Sequence, residues 1–200
     1  MGGLTSFDED FTIAFWAKGT SEVNNQFFCN AYWTGSLGIG TTPNPQRTDI
    51  ELYEDWEFDS YAVNVSAQRF KGLALIWYNS KIYFRGSDPE ETKSFNMHIQ
   101  NANFNVTNWH HYAICRKNNI LRVFIDGNVI IKMPVDYNLY IAPYTGFGYG
   151  SNESAAQLTP NYSTGVGATG GIVYYDELII IDGYGLYDQN FTPPNEPYNY

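Results

Sequence analysis

The sequence predicts an all-β protein, an antiparallel two-sheet β-sandwich. Segments with apolar residues at every second position recur along the chain, and no long window carries them at i, i+3, i+4 and i+7. Good helix formers are sparse, and Ile (16) outnumbers Leu (10). Turn residues punctuate these segments at short intervals, most clearly at Asp126-Gly127.

Taken in order, Phe11 to Lys18 is a strand with Phe11, Ile13, Phe15 and Ala17 on one face. Residues 27–33, 48–53, 59–65, 73–78 and 81–85 read as further strands, with Asn79-Ser80 turning the last two. Trp109 to Arg116 is a strand, Lys117-Asn118-Asn119 turns it, and Ile120 to Ile125 returns. Asp126-Gly127 supplies the positive φ angles of a type I′ hairpin and leads into Asn128 to Lys132. Residues 134–170 read as a long Gly-, Tyr- and Pro-rich loop, either functional or a solvated insertion, holding one short strand at 144–149. Gly171 to Ile181 is the last strand. Residues 1–194 form one domain of ordinary size, followed by a proline-rich tail at 195–200.

Composition narrows the function classes. Of 200 residues, 18% are aromatic and 16% charged, which excludes wholesale disorder. A net charge of −10 repels polyphosphate, so no nucleic-acid partner is expected. No apolar run is long enough for a membrane-spanning helix, so no membrane insertion is expected either. MGGLTSFDED has neither a basic n-region nor an apolar h-region, so no signal peptide is visible, which fits a mature fragment or a chain secreted by another route. Cys29 and Cys115 lie in apolar strands, as free core residues or as one inter-strand disulfide, and neither belongs to a zinc-type grouping. Sequons at Asn64, Asn105, Asn152, Asn161 and Asn190 are what chance allows in an Asn-rich chain.

Three segments together resemble the laminin-G-like branch of the concanavalin A-like jelly-roll superfamily. They are Asp10 to Lys18; Trp109-His110-His111-Tyr112-Ala113 with Leu121 to Gly127; and Tyr175-Asp176-Glu177-Leu178, Ile180 and Asp182-Gly183 with Asn190-Phe191-Thr192-Pro193-Pro194. The last is similar to modules of bacteriophage tail, fibre and capsid-surface proteins, although Leu186 precedes Tyr187 where those modules often place Arg. The resemblance implies a virion or extracellular location and a non-catalytic surface, adhesion or structural role, contacting glycans or protein partners. A carbohydrate-binding module of a larger extracellular protein is the alternative, and a homo-oligomer is left open. The signature residues themselves read as structural. Trp16 and Trp109 are expected as core anchors, His110 and His111 on opposite faces, and Asp176 facing oppositely to Glu177.

The superfamily also contains glycoside hydrolases, whose carboxylates share one strand. The nearest match is Asp49-Ile50-Glu51-Leu52-Tyr53-Glu54, with residue types exchanged at the first two positions. A shortened nucleophile arm misplaces the attacking oxygen, so no catalytic residue is expected. Lectin-like members stack aromatic rings on sugars, which makes Trp33, Tyr53, Trp56, Tyr144 and Tyr149 the candidate carbohydrate contacts, with Trp77 and Phe147 also near turns. Many laminin-G-like domains bind Ca²⁺, and this acidic, Asn-rich chain has the oxygen ligands for it without a recognisable ligand set.

Overall fold

The computed structural model describes residues 6–20, 24–36, 61–63, 68–78, 81–89, 94–99, 104–141 and 173–195. The regular elements among them are strands: β1 (Ser6–Phe7), β2 (Phe11–Gly19), β3 (Asn24–Ser36), β4 (Tyr61–Val63), β5 (Gln68–Tyr78), β6 (Lys81–Ser87), β7 (Ser94–Ile99), β8 (His110–Lys117), β9 (Ile120–Ile125), β10 (Asn128–Pro134), β11 (Leu139–Tyr140) and β12 (Val173–Asp182). One antiparallel sheet has the order β10-β9-β8-β2-β12, the other β3-β5-β6-β7-β4, and β1 pairs with β11 as a short ribbon. The all-β sandwich expected from the sequence is what forms. The expected strands at 48–53 and 144–149, and the Asn79-Ser80 turn, lie outside the described residues.

Alternation in β2 works as the sequence predicts. Phe11, Ile13, Phe15 and Ala17 join Tyr112 and Ile114 of β8 and Leu121 and Val123 of β9 in one core with Leu73, Leu75 and Trp77 of β5 and Ile82 and Phe84 of β6. Trp77, expected near a turn as a candidate contact, is a core residue packed edge-on against Phe104. The β8–β9 turn is tighter than expected. Lys117 is still paired, opposite Ile120, and only Asn118 and Asn119 turn, both with positive φ. The buried Arg116 guanidinium donates to the carbonyls of Phe7, Glu9 and Tyr137, tying the β1–β11 ribbon to this hairpin.

The first sheet is buried on its outer face as well. Ala14, Ala113, Cys115, Phe124 and Ile179 form a second cluster there, capped by Tyr187 and Phe191. These rings belong to residues 183–195, a strap laid across the sheet. Thr12 Oγ1 donates to the Tyr184 carbonyl at 3.0 Å and accepts from the Leu186 N–H at 2.8 Å. The Tyr187 N–H reaches Cys115 Sγ at 3.4 Å; Cys115 is a buried free thiol, its pKa raised by that burial. Farther on, Val129 N–H donates to Asn190 Oδ1 and Phe191 N–H to the Gly127 carbonyl, each at 2.9 Å. Tyr187 and Phe191 stack at 3.8 Å.

Gly127 serves two demands at once. Its φ of 76° belongs to the hairpin turn, and a Cβ there would overlap the Phe191 carbonyl. Gly127→Ala is therefore expected to cost about 2–4 kcal/mol, because backbone strain and lost strap docking add. Urea denaturation compared with wild type measures it.

Candidate functional site

Beyond the end of the strap, the outer face of the first sheet is open. Strand register sets up two rows of side chains there. Asp176 of β12 lies opposite Trp16 of β2, and Trp16 lies opposite His111 of β8. Two residues along, Tyr174 lies opposite Lys18, whose Nζ stands 5.2 Å from the Trp109 ring centre and 5.3 Å from that of Tyr174. Together with Asp126, Glu177, Pro193, Pro194 and Asn195, Trp16, Trp109 and Asp176 line an open groove of about 750 Å³. That is the size of a small-ligand site.

Two expectations are corrected here. Trp109 is 42% exposed and Trp16 half-buried, so neither is a core anchor; both stand on the outer face, where the strap ends before covering them. Asp176 and Glu177 do not diverge, because both line the groove. The reason is a bulge. The pairing of β12 with β2 slips between Asp176 and Ile179, and Glu177 takes up the extra residue with a φ of 54°. The Asp176 carboxylate then accepts the Glu177 N–H at 2.9 Å.

Asp126 organises the other wall. It turns the hairpin with a φ of 49°, and its carboxylate holds the strand before it. Oδ2 is 2.7 Å from His110 Nδ1, and Oδ1 accepts the His111 N–H at 3.0 Å. His110 Nε2 lies 3.0 Å from the Asn105 carbonyl. Both ring nitrogens thus face oxygen atoms, which fixes the orientation of the ring. The two histidine rings point to opposite faces, as expected from alternation, yet one carboxylate binds both residues. The His111 ring is buried between Trp16 and Phe191, at 5.4 and 5.6 Å. Burial lowers its pKa from 6.5 to about 4, against the opposing pull of Asp126.

Of the aromatic contacts expected from sequence, Trp33 lies on β3, in the other sheet, and its side chain is outside the described residues. Tyr53, Trp56, Tyr144, Phe147 and Tyr149 are outside them too, as are Asp49, Glu51 and Glu54. Among the described residues no group of three or more His, Cys, Asp or Glu is placed to hold a metal ion. No protein-family model and no curated protein matches the chain. Among solved structures, a crystal structure of a mutant botulinum toxin HCR/D domain aligns with a TM-score of 0.41 and 9% identity, over 87% of this chain and 34% of that one. The chain thus spans about a third of that protein's length.

Two outcomes follow from this geometry. The unfolded chain protonates His111 near 6.5, whereas the folded chain resists until about 4. Stability is accordingly full above pH 6.5 and is lost as pH falls toward 4, by on the order of 3 kcal/mol. Urea midpoints across that window measure the loss, which is expected to shrink in His111→Phe. Separately, Glu177→Gly relieves a left-handed glutamate and is expected to raise stability by up to about 1 kcal/mol, read from its thermal midpoint.

Proposed function

We propose that this chain is a non-catalytic, laminin-G-like jelly-roll module on the surface of a virion or another extracellular assembly, and that it contacts glycans through the groove. The observation that carries this reading is the pair Trp16 and Trp109, held on an outer sheet face beside carboxylates that can accept hydroxyl hydrogen bonds. A saccharide presents C–H groups on one ring face and hydroxyls around its rim, so it needs an apolar platform bordered by acceptors. An exposed tryptophan ring that fills no core is costly surface for a fold and useful surface for a ligand.

The finer fold assignment belongs to the same proposal. Its support is that all three resembling segments supply groove or strap residues: Trp16 from the first, Trp109 and Asp126 from the second, and Asp176, Glu177 and Phe191 to Pro194 from the third. The virion setting is supported by the similarity of Asn190 to Pro194 to phage surface modules.

A glycan array probed with wild type and Trp109→Ala tests the reading. Wild type is expected to bind saccharides, and the variant at least about tenfold more weakly, as for a buried aromatic anchor. Trp109 is exposed, so the variant's stability is expected to stay within about 0.5 kcal/mol of wild type. An array without any ligand removes the glycan-binding role and leaves a purely structural module.

A further inference from the structure

Trp109 stands in the turn before β8, outside the strand ladder, and is 42% exposed. The backbone of that turn is well tied. Asn108 N–H donates to the Asn105 carbonyl and Gly19 N–H to the Val106 carbonyl, each at 2.9 Å. These bonds fix where the Trp109 side chain starts, and they leave its two rotatable bonds undecided. A half-exposed indole that turns freely must be ordered at each binding event, at a cost in affinity.

Strand register supplies a further constraint. The pairing of Ala17 with His110, continued by one residue, places Lys18 of β2 opposite Trp109. On its other side Lys18 is paired with Tyr174 of β12. The three side chains therefore form one row across the sheet, ring, ammonium and ring. It lies beside the row that holds Trp16 and Asp176. Lys18 Nζ is 5.2 Å from the Trp109 ring centre and 5.3 Å from that of Tyr174, within the range at which aromatic faces hold a cation.

A lysine without such a task keeps its ammonium in water or beside a carboxylate. Acidic residues outnumber basic ones by 21 to 11 in this chain, yet among the described residues Lys18 is in no ion pair, and it is half-buried. Trp109 lines the groove whereas Lys18 and Tyr174 do not, so the ammonium holds the indole from outside and leaves its groove side open. We propose that Lys18 is a positioning residue for the groove: clamped between Trp109 and Tyr174, its ammonium fixes the Trp109 ring in the orientation that receives a ligand. For binding, this role rests on the glycan reading above; the order it gives the ring needs no ligand.

Fluorine NMR of the full chain labelled with 5-fluorotryptophan reads the ring directly, the Trp109 signal being the one lost in Trp109→Phe. Lys18→Met keeps the length of the side chain and removes its charge. It is expected to shift and broaden the Trp109 signal. It is also expected to weaken binding of a β-1,4-linked N-acetylglucosamine hexamer about threefold, the scale of one exposed cation–ring contact. Lys18→Arg, which keeps the cation, is expected to restore both. A purely structural lysine would lower the thermal midpoint without this selective effect. An unchanged Trp109 signal in Lys18→Met overturns the clamp, as does a signal that Lys18→Arg fails to restore. A disturbed signal with undiminished sugar binding overturns the positioning role and leaves the Trp109 contact standing. If wild type binds no saccharide, the glycan reading falls, and the fluorine signal alone upholds or overturns the clamp.

Discussion

Two-sided burial of the β10-β9-β8-β2-β12 sheet is the constraint on which the rest of the structure depends. β2 and β8 carry apolar or small residues on both faces, so the second sheet can cover only half of what must leave water. The strap of residues 183–195 supplies the other cover, and its anchors are distributed accordingly. A buried threonine hydroxyl, a cysteine sulfur and two backbone groups of the β9–β10 region satisfy its polar atoms, while Tyr187 and Phe191 fill the apolar hollow. The part-buried strap hydrogen bonds give protein partners to polar groups that the cover removes from water. The groove exists because this cover stops short, its prolines forming a wall instead of a lid.

Asp126 couples that cover to the site. The same residue supplies a left-handed turn position, a hydrogen-bond partner for the His110 ring and an acceptor for the His111 backbone, while Gly127 beside it receives Phe191. Placement of Trp109 follows from this, because it directly precedes the two histidines that Asp126 holds. His111, neutral and wedged between Trp16 and Phe191, passes the position of the strap to the platform through packed rings. Protonating it would place an unsolvated charge in that stack, so the site and the fold share one acid limit.

Much of the fold was legible in the sequence because local rules act alone there. The alternation of Phe11 to Ala17 and the paired positive φ values of Asp126-Gly127 needed no tertiary information. β1 and β11 escaped notice because two-residue strands have no period. β7, Ser94-Phe95-Asn96-Met97-His98-Ile99, does alternate, but its polar members hid it. The site was read less well, for one reason. In a sheet covered on both sides, an aromatic residue fits either face, and only the end of the strap decides that Trp16 and Trp109 stay partly exposed while Phe124 does not. Nothing local to either tryptophan encodes where residues 193–195 come to rest.

β12 shows why strict alternation fails where function sits. Val173 and Tyr175 pack against the inner core, but Ile179 and Ile181 serve the outer cluster beneath the strap. With period two these four odd-numbered residues would share a face, so one extra residue must be absorbed between Tyr175 and Ile179. The bulge at Glu177 does this, and it is a structural necessity before it is anything else. What the fold does not dictate is the side chain placed there. A turn or bulge in a left-handed conformation is met most cheaply by glycine, as at Gly127, where the strap also excludes a Cβ. At residue 177 the side chain is half-buried at the groove instead, and a glutamate occupies the position at some cost in backbone strain. The two positions thus separate what the fold needs from what it merely permits, and the carboxylate at 177 falls on the permitted side, at the wall of the groove.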